Sequence, residues 1–202
     1  MDEINQSYNA FKTILELCKD RNYIVPDDYG DINFETFKYL YNNKKNDIYC
    51  DKHKNLEKKI YIKFINSNKI KPNNIREFIT NITTDYLSND EDELIIILKT
   101  KPNNSILKIE KEKDYKHSEI LWLGTLQFNI TKHNLVPKHS EVNKEELEKL
   151  LNTYNIPNIY HLPLISKDDV IVKYYNFKPG TVLKIERISQ TSAIHRFYRI
   201  VK

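Results

Sequence analysis

The chain has 202 residues, of which 40% are apolar and 30% charged, and a formal net charge of +4. This balance fits one large or two small globular domains and excludes a disordered chain. The longest apolar run, Leu94 to Leu98, is far short of the roughly 20 residues a membrane-spanning helix needs, so no membrane partner is expected.

Two cysteines, Cys18 and Cys50, are too few and too far apart in sequence for a disulfide framework or a zinc site. They point to a reducing intracellular compartment, and the polar start shows no secretory pattern. Lys, Ile and Asn number 27, 27 and 23, against five Arg and three Gly. Those enriched residues share A/T-rich codons, which points to an AT-rich genome. Charge is unevenly spread, with nine basic and three acidic side chains over residues 41–75. Such a +6 stretch suits a nearby polyanion, and a solvated lysine-rich face explains it too.

Ile4, Tyr8, Phe11, Leu15 and Cys18 recur at steps of three and four, which predicts a helix ending near Lys19. Residues 20–25, "DRNYIV", leave it as extended chain, and Pro26 blocks its resumption. Phe34, Phe37, Leu40 and Tyr41 predict a shorter helix with Asn33 at its N-cap. Residues 47–53 and 59–65 read as short strands, the second alternating apolar with polar. Pro72 opens a helix through Ile75, Phe78, Ile79 and Ile82, and Leu94–Leu98 reads as a strand buried on both faces. Residues 106–130 predict a helix or turn, then a strand ending in "TLQFNI".

The character changes at "KHNLVPKHSEV". Asn143 with Glu146 forms a capping-box pattern, and Leu147, Leu150, Leu151 and Tyr154 mark one amphipathic helix. Pro157 and Pro163 hold the next loop extended. Three β segments are then expected, Val170–Tyr175, Val182–Ile188 and Arg196–Val201, with a turn at Lys178-Pro179-Gly180 between the first two. The expected class is α+β or α/β, with residues 1–130 forming one domain (helices over 1–45, an α/β part over 46–130) and 131–202 a small α+β domain.

Little catalytic chemistry is legible. His133 and His139, six apart, share neither a helix face nor a strand face as a ligand pair. His161 and His195 are equally isolated, and no phosphate-binding glycine loop or nucleophile elbow occurs. No catalytic residue, cofactor or metal is expected. The alternative is a metal-dependent nuclease of restriction or tRNA-endonuclease type, using Asp47, or Asp51 in its place, with Glu57 as metal ligands and Lys59 beside the attacking water. The alternation of Lys with Tyr and Phe at 59–64 could also stack bases, although a half-buried strand explains it as well.

Over residues 129–201, "NITKHNLVPKHSEVNKEELEKLLNTYNI", "LPLISKDDVIVKYYNFKPGTVLKIERISQTS" and the closing "YRIV" resemble the fifth subunit shared by eukaryotic RNA polymerases I, II and III, a family with an archaeal branch that lacks the N-terminal domain. "LCKDRNYIV" is similar to the family's L-C-x-D-R-G-Y-x-V in the eukaryotic N-terminal domain. The resemblance implies a non-catalytic subunit of a DNA-dependent RNA polymerase. It implies an inactive, tRNA-endonuclease-like jaw domain near downstream DNA and an assembly domain docking on the largest subunit, among other polymerase subunits. Arg187, Ser189, Thr191, Tyr198 and Arg199 are then the docking candidates, and Lys52, Lys54, Lys58 and Lys59 the DNA-proximal ones. His133, Pro137 and His139 would mark the interdomain junction. Divergence from the family, the A/T-rich coding signature and the eukaryote-like layout together suggest a large DNA virus or a diverged protist as source, so the expected location is the nucleus, or host cytoplasm and virion for a viral protein. A free-standing transcription adapter remains a further alternative.

The sequence departs from the family pattern in several places. The family's Asp-Pro is Asp169-Val170, its Arg before Tyr is Lys173, and the Gly after the aromatic pair is Asn176. Its S-E-T-x-G-R reads Ser189-Gln190-Thr191-Ser192-Ala193-Ile194. A changed partner surface would follow from the last of these.

Overall fold

The heptad-like apolar spacing at the start of the chain folds into α1, Glu3–Asp20, which buries Ala10, Phe11, Ile14, Leu15, Leu17 and Cys18 along one face. After Pro26 a single turn, α2 (Asp27–Gly30), precedes α3 (Phe34–Asn42). Asn33 caps α3, its side-chain oxygen accepting from the Thr36 N–H at 2.8 Å. The computed structural model describes the chain except residues 1, 2, 31, 55, 69, 88–90, 113, 114, 116 and 190–192. The described chain divides into two units, Met1–Phe128 and Asn129–Lys202.

In the first unit β1 (Ile48–Cys50), β2 (Ile60–Ile65), β3 (Glu93–Leu98) and β4 (Ser118–Trp122) form a sheet in that order. β1 runs antiparallel to β2, and the remaining pairs are parallel. Parallel neighbours need crossovers, which α4 (Pro72–Tyr86) and α5 (Asn104–Leu107) supply. Ile75, Ile79 and Ile82 of α4 and Ile106 of α5 pack on Tyr61, Ile65, Leu94, Ile96, Leu98 and Ile120. The opposite sheet face meets α1, where the Phe11 and Phe64 ring centroids lie 6.2 Å apart.

Two expectations for this unit need correction. β2 is buried on both faces, with only Lys63 half-exposed, because it lies between β1 and β3 in a sheet covered by helices on each side. The strand expected to end in "TLQFNI" instead comes earlier, as β4, and Leu123–Leu126 is a 3-10 turn. Local bonds take over there: Thr125 Oγ1 donates to Trp122 O at 2.7 Å and Gln127 Nε2 to Leu123 O at 2.8 Å. Gly124 permits it, since a Cβ would sit 2.5 Å from the Trp122 ring.

The second unit holds β5 (Lys138–Glu141), α6 (Lys144–Thr153), β6 (Leu164–Ile165), α7 (Val170–Tyr175), β7 (Val182–Ser189) and β8 (Ala193–Val201). Its sheet order is β5-β7-β8-β6. One cluster, Val142, Leu150, Leu162, Val182 and Ile200, packs with α6, and another, Ile165, Val172, Leu183 and Val201, packs with α7. Asn143 caps α6 as expected, accepting from the Glu146 N–H at 2.8 Å. Glu146 does not close the box, because its carboxylate receives Lys184 Nζ at 2.9 Å.

The segment Val170–Tyr175, expected as a strand, is the helix α7. Asp169 caps it, its Oδ1 accepting from the Ile171 N–H at 2.9 Å, and Asn176 ends it in the left-handed conformation at φ 55°. Those terminal signals, with burial of Ile171, Val172 and Tyr174, override the β preference of the branched residues. The Lys178-Pro179-Gly180 turn therefore joins a helix to β7, with Gly180 at φ 89°. No helix among the described residues is long and apolar enough to cross a membrane.

Candidate partner and nucleic-acid interfaces

The loop between β1 and β2 carries the four DNA-proximal candidates, and its backbone is pinned to the end of α1. Ile24 N donates to Lys52 O and Lys54 N to Asn22 O, both at 2.9 Å, around a bridge between Tyr23 and His53. His53 Nδ1 accepts from the Leu56 N–H at 3.1 Å, so its Nε2 carries the proton and donates to Arg21 O at 2.9 Å. Burial, then the Lys58 charge, hold the imidazole below its usual pKa and so neutral. Lys52 and Lys54 stand exposed on this loop.

Lys58 does not join them. Its Nζ lies 2.9 Å from Glu93 Oε1 and 5.3 Å from the Tyr23 ring centroid. Lys59 is half-buried, with its backbone N–H held by Asp92 Oδ1 at 2.8 Å. The apparent lysine cluster thus separates into an outward pair and an inward pair.

The inward pair borders a charge cluster that sequence reading missed. Arg21 is inserted between adjacent strands, with Nη1 2.8 Å from Glu93 Oε2 and Nη2 2.9 Å from Glu119 Oε2. Burial alone would raise the Glu93 pKa, but Arg21 and Lys58 pull it down to about 2. Arg21 is held above its ordinary range by the two carboxylates, against the burial that disfavours its charge. The signals for this cluster were Arg21 within "LCKDRNYIV" and Glu93 opening an otherwise apolar strand. Nothing in sequence linked them.

Cys18 and Cys50 are also brought together, their buried thiols hydrogen-bonded to each other. That bond and the burial push Cys18 well above the normal thiol pKa, and the same bond holds Cys50 below it.

The nuclease alternative finds no geometry. Asp47 is occupied by Lys63 Nζ, the Tyr61 hydroxyl at 3.2 Å and the Phe64 N–H at 3.1 Å. The register sets Cys50 opposite Ile60 and Ile48 opposite Ile62, which leaves Lys59 and Asp47 at opposite ends of the β1–β2 pair. Four strand residues separate the two levels, about 13 Å. Glu57 lies on the exposed loop. Among the described residues, no three His, Cys, Asp or Glu are grouped to hold a metal ion.

In the second unit the docking candidates fall on the β7–β8 hairpin and divide between its faces. The register pairs Leu183 with Arg199, Ile185 with Phe197 and Arg187 with His195, so these share one face. Arg187, His195, Phe197 and Arg199 are exposed there, with the His195 and Phe197 rings 4.2 Å apart. Arg199 Nη1 donates to Leu164 O at 3.1 Å. Tyr198 lies on the other face, half-buried, with Arg196 and the exposed Ile194. Ser189 ends β7, and Thr191 lies outside the described residues.

The junction candidates all belong to the second unit. His133 is exposed and its Nδ1 accepts from the Leu135 N–H at 3.2 Å. Pro137 precedes β5, and His139 lies within β5, its Nδ1 2.8 Å from Pro137 O. Asn129, which opens this unit, donates from Nδ2 to the Tyr174 hydroxyl at 2.9 Å.

The structure defines the class as a two-unit protein, a mixed α/β unit with exposed lysines followed by a smaller unit with an arginine-bearing hairpin. Comparison with known sequences narrows this class. The family model described as RNA polymerase Rpb5, C-terminal domain, matches residues 128–201, and that of the Rpb5 N-terminal domain matches residues 1–82. DNA-directed RNA polymerase V subunit 5A of Arabidopsis thaliana is 31% identical over 204 residues, covering 99% of this chain and 90% of the relative. The subunit of RNA polymerases I, II and III from Dictyostelium discoideum is 29% identical over 209 residues, covering 99% of each. The chain belongs to the Rpb5 family of RNA polymerase subunits.

The structure explains several departures from the family pattern noted above. The family's Gly before Tyr is Asn22 here, at φ 65°, and its Gly after the aromatic pair is Asn176, at φ 55°. Both are left-handed positions, where Asn is the residue best tolerated after Gly. The family's Asp-Pro falls at the N-cap and first residue of α7, where Pro is favoured and Val170 is tolerated. These exchanges suit the backbone observed at those positions.

Proposed function

We propose that this chain is a non-catalytic structural subunit of a DNA-dependent RNA polymerase, docking through residues 129–202 on the largest subunit and holding residues 1–128 beside downstream DNA. The observation that carries the reading is similarity to polymerase subunits over 99% of the chain, across both units. The exposed Arg187, His195, Phe197 and Arg199 face supports docking, since Arg and aromatic residues are enriched where proteins meet. Lys52 and Lys54 support a phosphate-facing role for the first unit. Its mixed sheet, with Asp47 bound by Lys63 and set away from Lys59, supports an inactive relative of the tRNA-endonuclease fold. The corresponding location is the nucleus, where the polymerases named for its relatives transcribe. A viral source has the codon signature and the divergence from the family pattern behind it, and none of the relatives named above is viral.

The test is purification of the native complex through a tag on this chain, with stoichiometry measured by mass spectrometry. One copy per largest polymerase subunit is expected, and deletion of residues 129–202 should abolish recovery. Sub-stoichiometric association would favour a free-standing adapter, and recovery of the chain alone would overturn the reading.

A further inference from the structure

The β8 strand is nine residues long, but its outer neighbour β6 pairs only with Ile200 and Val201. The backbone directions follow from the hydrogen bonds. Val201 N donates to Thr181 O at 3.0 Å, so the odd-numbered residues of β8 turn their N–H and C=O toward β7. Ile200 N donates to Pro163 O at 2.9 Å, on the side of β6. The backbone groups of Ile194, Arg196 and Tyr198 alternate with those of the odd residues and therefore point outward, as those of Ile200 do.

Pro163 ends the cover. Continuing the β6 register would require residue 163 to donate to the Tyr198 carbonyl, and proline has no N–H. The preceding chain then coils into the 3-10 turn Ile159–His161. Among the described residues no strand lies along β8 from Ile194 to Tyr198. That leaves three outward donors and three acceptors, repeating every ~6.8 Å, a template for another strand.

The side chains flanking this edge select its occupant. Residues 182–201 carry four basic side chains and one acidic, and three of the five arginines of the whole chain. Arg21 and Arg76 are paired with carboxylates inside the first unit, whereas Arg196, paired with Glu186 through Nε at 3.2 Å, keeps most of its side chain exposed. Ile194 and Phe197 are 56% and 45% exposed beside the arginines, one on each face of the hairpin.

We infer that the outer edge of β8, Ile194 to Tyr198, is a strand-addition site for an extended polypeptide segment of another polymerase subunit, carrying Asp or Glu among apolar residues. Backbone pairing would hold the segment, and Arg196 and Arg199 would select its charge. DNA suits the site less well, since a duplex offers no row of donors and acceptors at strand spacing. The inference rests on the polymerase-subunit reading above and specifies how the docking is made.

Hydrogen exchange at single-amide resolution tests it, comparing the full-length free chain with the chain in purified polymerase. Arg196 and Tyr198 amides should exchange rapidly when free and slow by about tenfold or more on assembly. Phe197 and Arg199, already bonded to β7, should be protected in both. Arg196→Pro removes an outward donor together with the side chain and its Glu186 pairing, whereas Arg196→Ala loses the side chain alone; the proline variant should incorporate poorly and the alanine variant better, with both still folding cooperatively. Recovery with polymerase at full stoichiometry but with unchanged Arg196 and Tyr198 exchange would overturn the strand-addition site and leave the subunit reading standing. Protection by a short DNA duplex alone would also overturn it. Failure to recover polymerase at all would overturn the subunit reading, and the inference with it. Should Arg196→Pro unfold, the wild-type exchange pattern still decides.

Discussion

Arg21 Nη1 donates to Glu93 Oε2 at 2.8 Å, tying the residue just beyond α1 to the first residue of β3. Glu119 on β4 takes the other guanidinium nitrogen, and Lys58 takes the second Glu93 oxygen. Two cations and two anions so placed neutralise one another in a site nearly closed to water. Removing one of them leaves a buried charge uncompensated. Arg21→Met should therefore destabilise the chain by about 3–5 kcal/mol, read from urea unfolding. Adding Glu93→Gln should restore part of the loss. A cost near zero would show that the network is hydrated and contributes nothing.

Glu93 gives the network an acid limit. Its folded pKa of about 2 lies below its ordinary 4.5. A depressed carboxylate contributes stability fully present above the unfolded pKa and lost as pH falls through the folded one. The stability gap between wild type and Glu93→Gln should be constant above about pH 5 and shrink by about 3 kcal/mol toward pH 2. A gap that does not vary with pH would remove the assignment.

The separation of the lysines predicts different behaviour toward DNA. Lys52→Ala with Lys54→Ala should reduce the slope of log affinity against log salt by about 2, roughly one for each lost phosphate contact. Lys58→Ala should leave that slope unchanged and lower the unfolding midpoint, because its charge is committed to Glu93. Equal effects on the slope from all three substitutions would refute the division.

The α7 boundaries should respond as helix ends. Asp169→Ala removes the acceptor for the Ile171 N–H and should cost about 0.5–2 kcal/mol. Asn176→Gly should be close to neutral or stabilising, whereas Asn176→Val should cost about 1–2 kcal/mol for the left-handed backbone. Thermal unfolding of the three variants checks the order, and a harmless valine would contradict the observed φ.

Much of the local structure was legible because its causes are local. The spacing of Tyr8, Phe11, Leu15 and Cys18 gave α1, Asn33 and Asn143 marked true N-caps, and Leu94–Leu98 announced a strand buried on both sides. The strand expected at Val170–Tyr175 failed because β-branched composition was weighed above Asp169 and Asn176, the two residues that bracket a helix. In the docking region the arginines were visible, but their division between hairpin faces was not, since facing depends on the register of β7 against β8.

The sequence by itself determined the family, most helix and strand positions, and the absence of any motif for bound phosphate or a nucleophile, because each is written in contiguous residues. Tertiary structure alone decided that Lys58 is spent on Glu93, that Arg21 joins two strands, that Cys18 meets Cys50, and that β6 covers β8 only at Ile200 and Val201. Each of these depends on sheet order and register between segments distant in the chain. Spacing along a sequence constrains neighbours within a turn or a strand, and it is silent about which distant side chain completes a charge or a ladder.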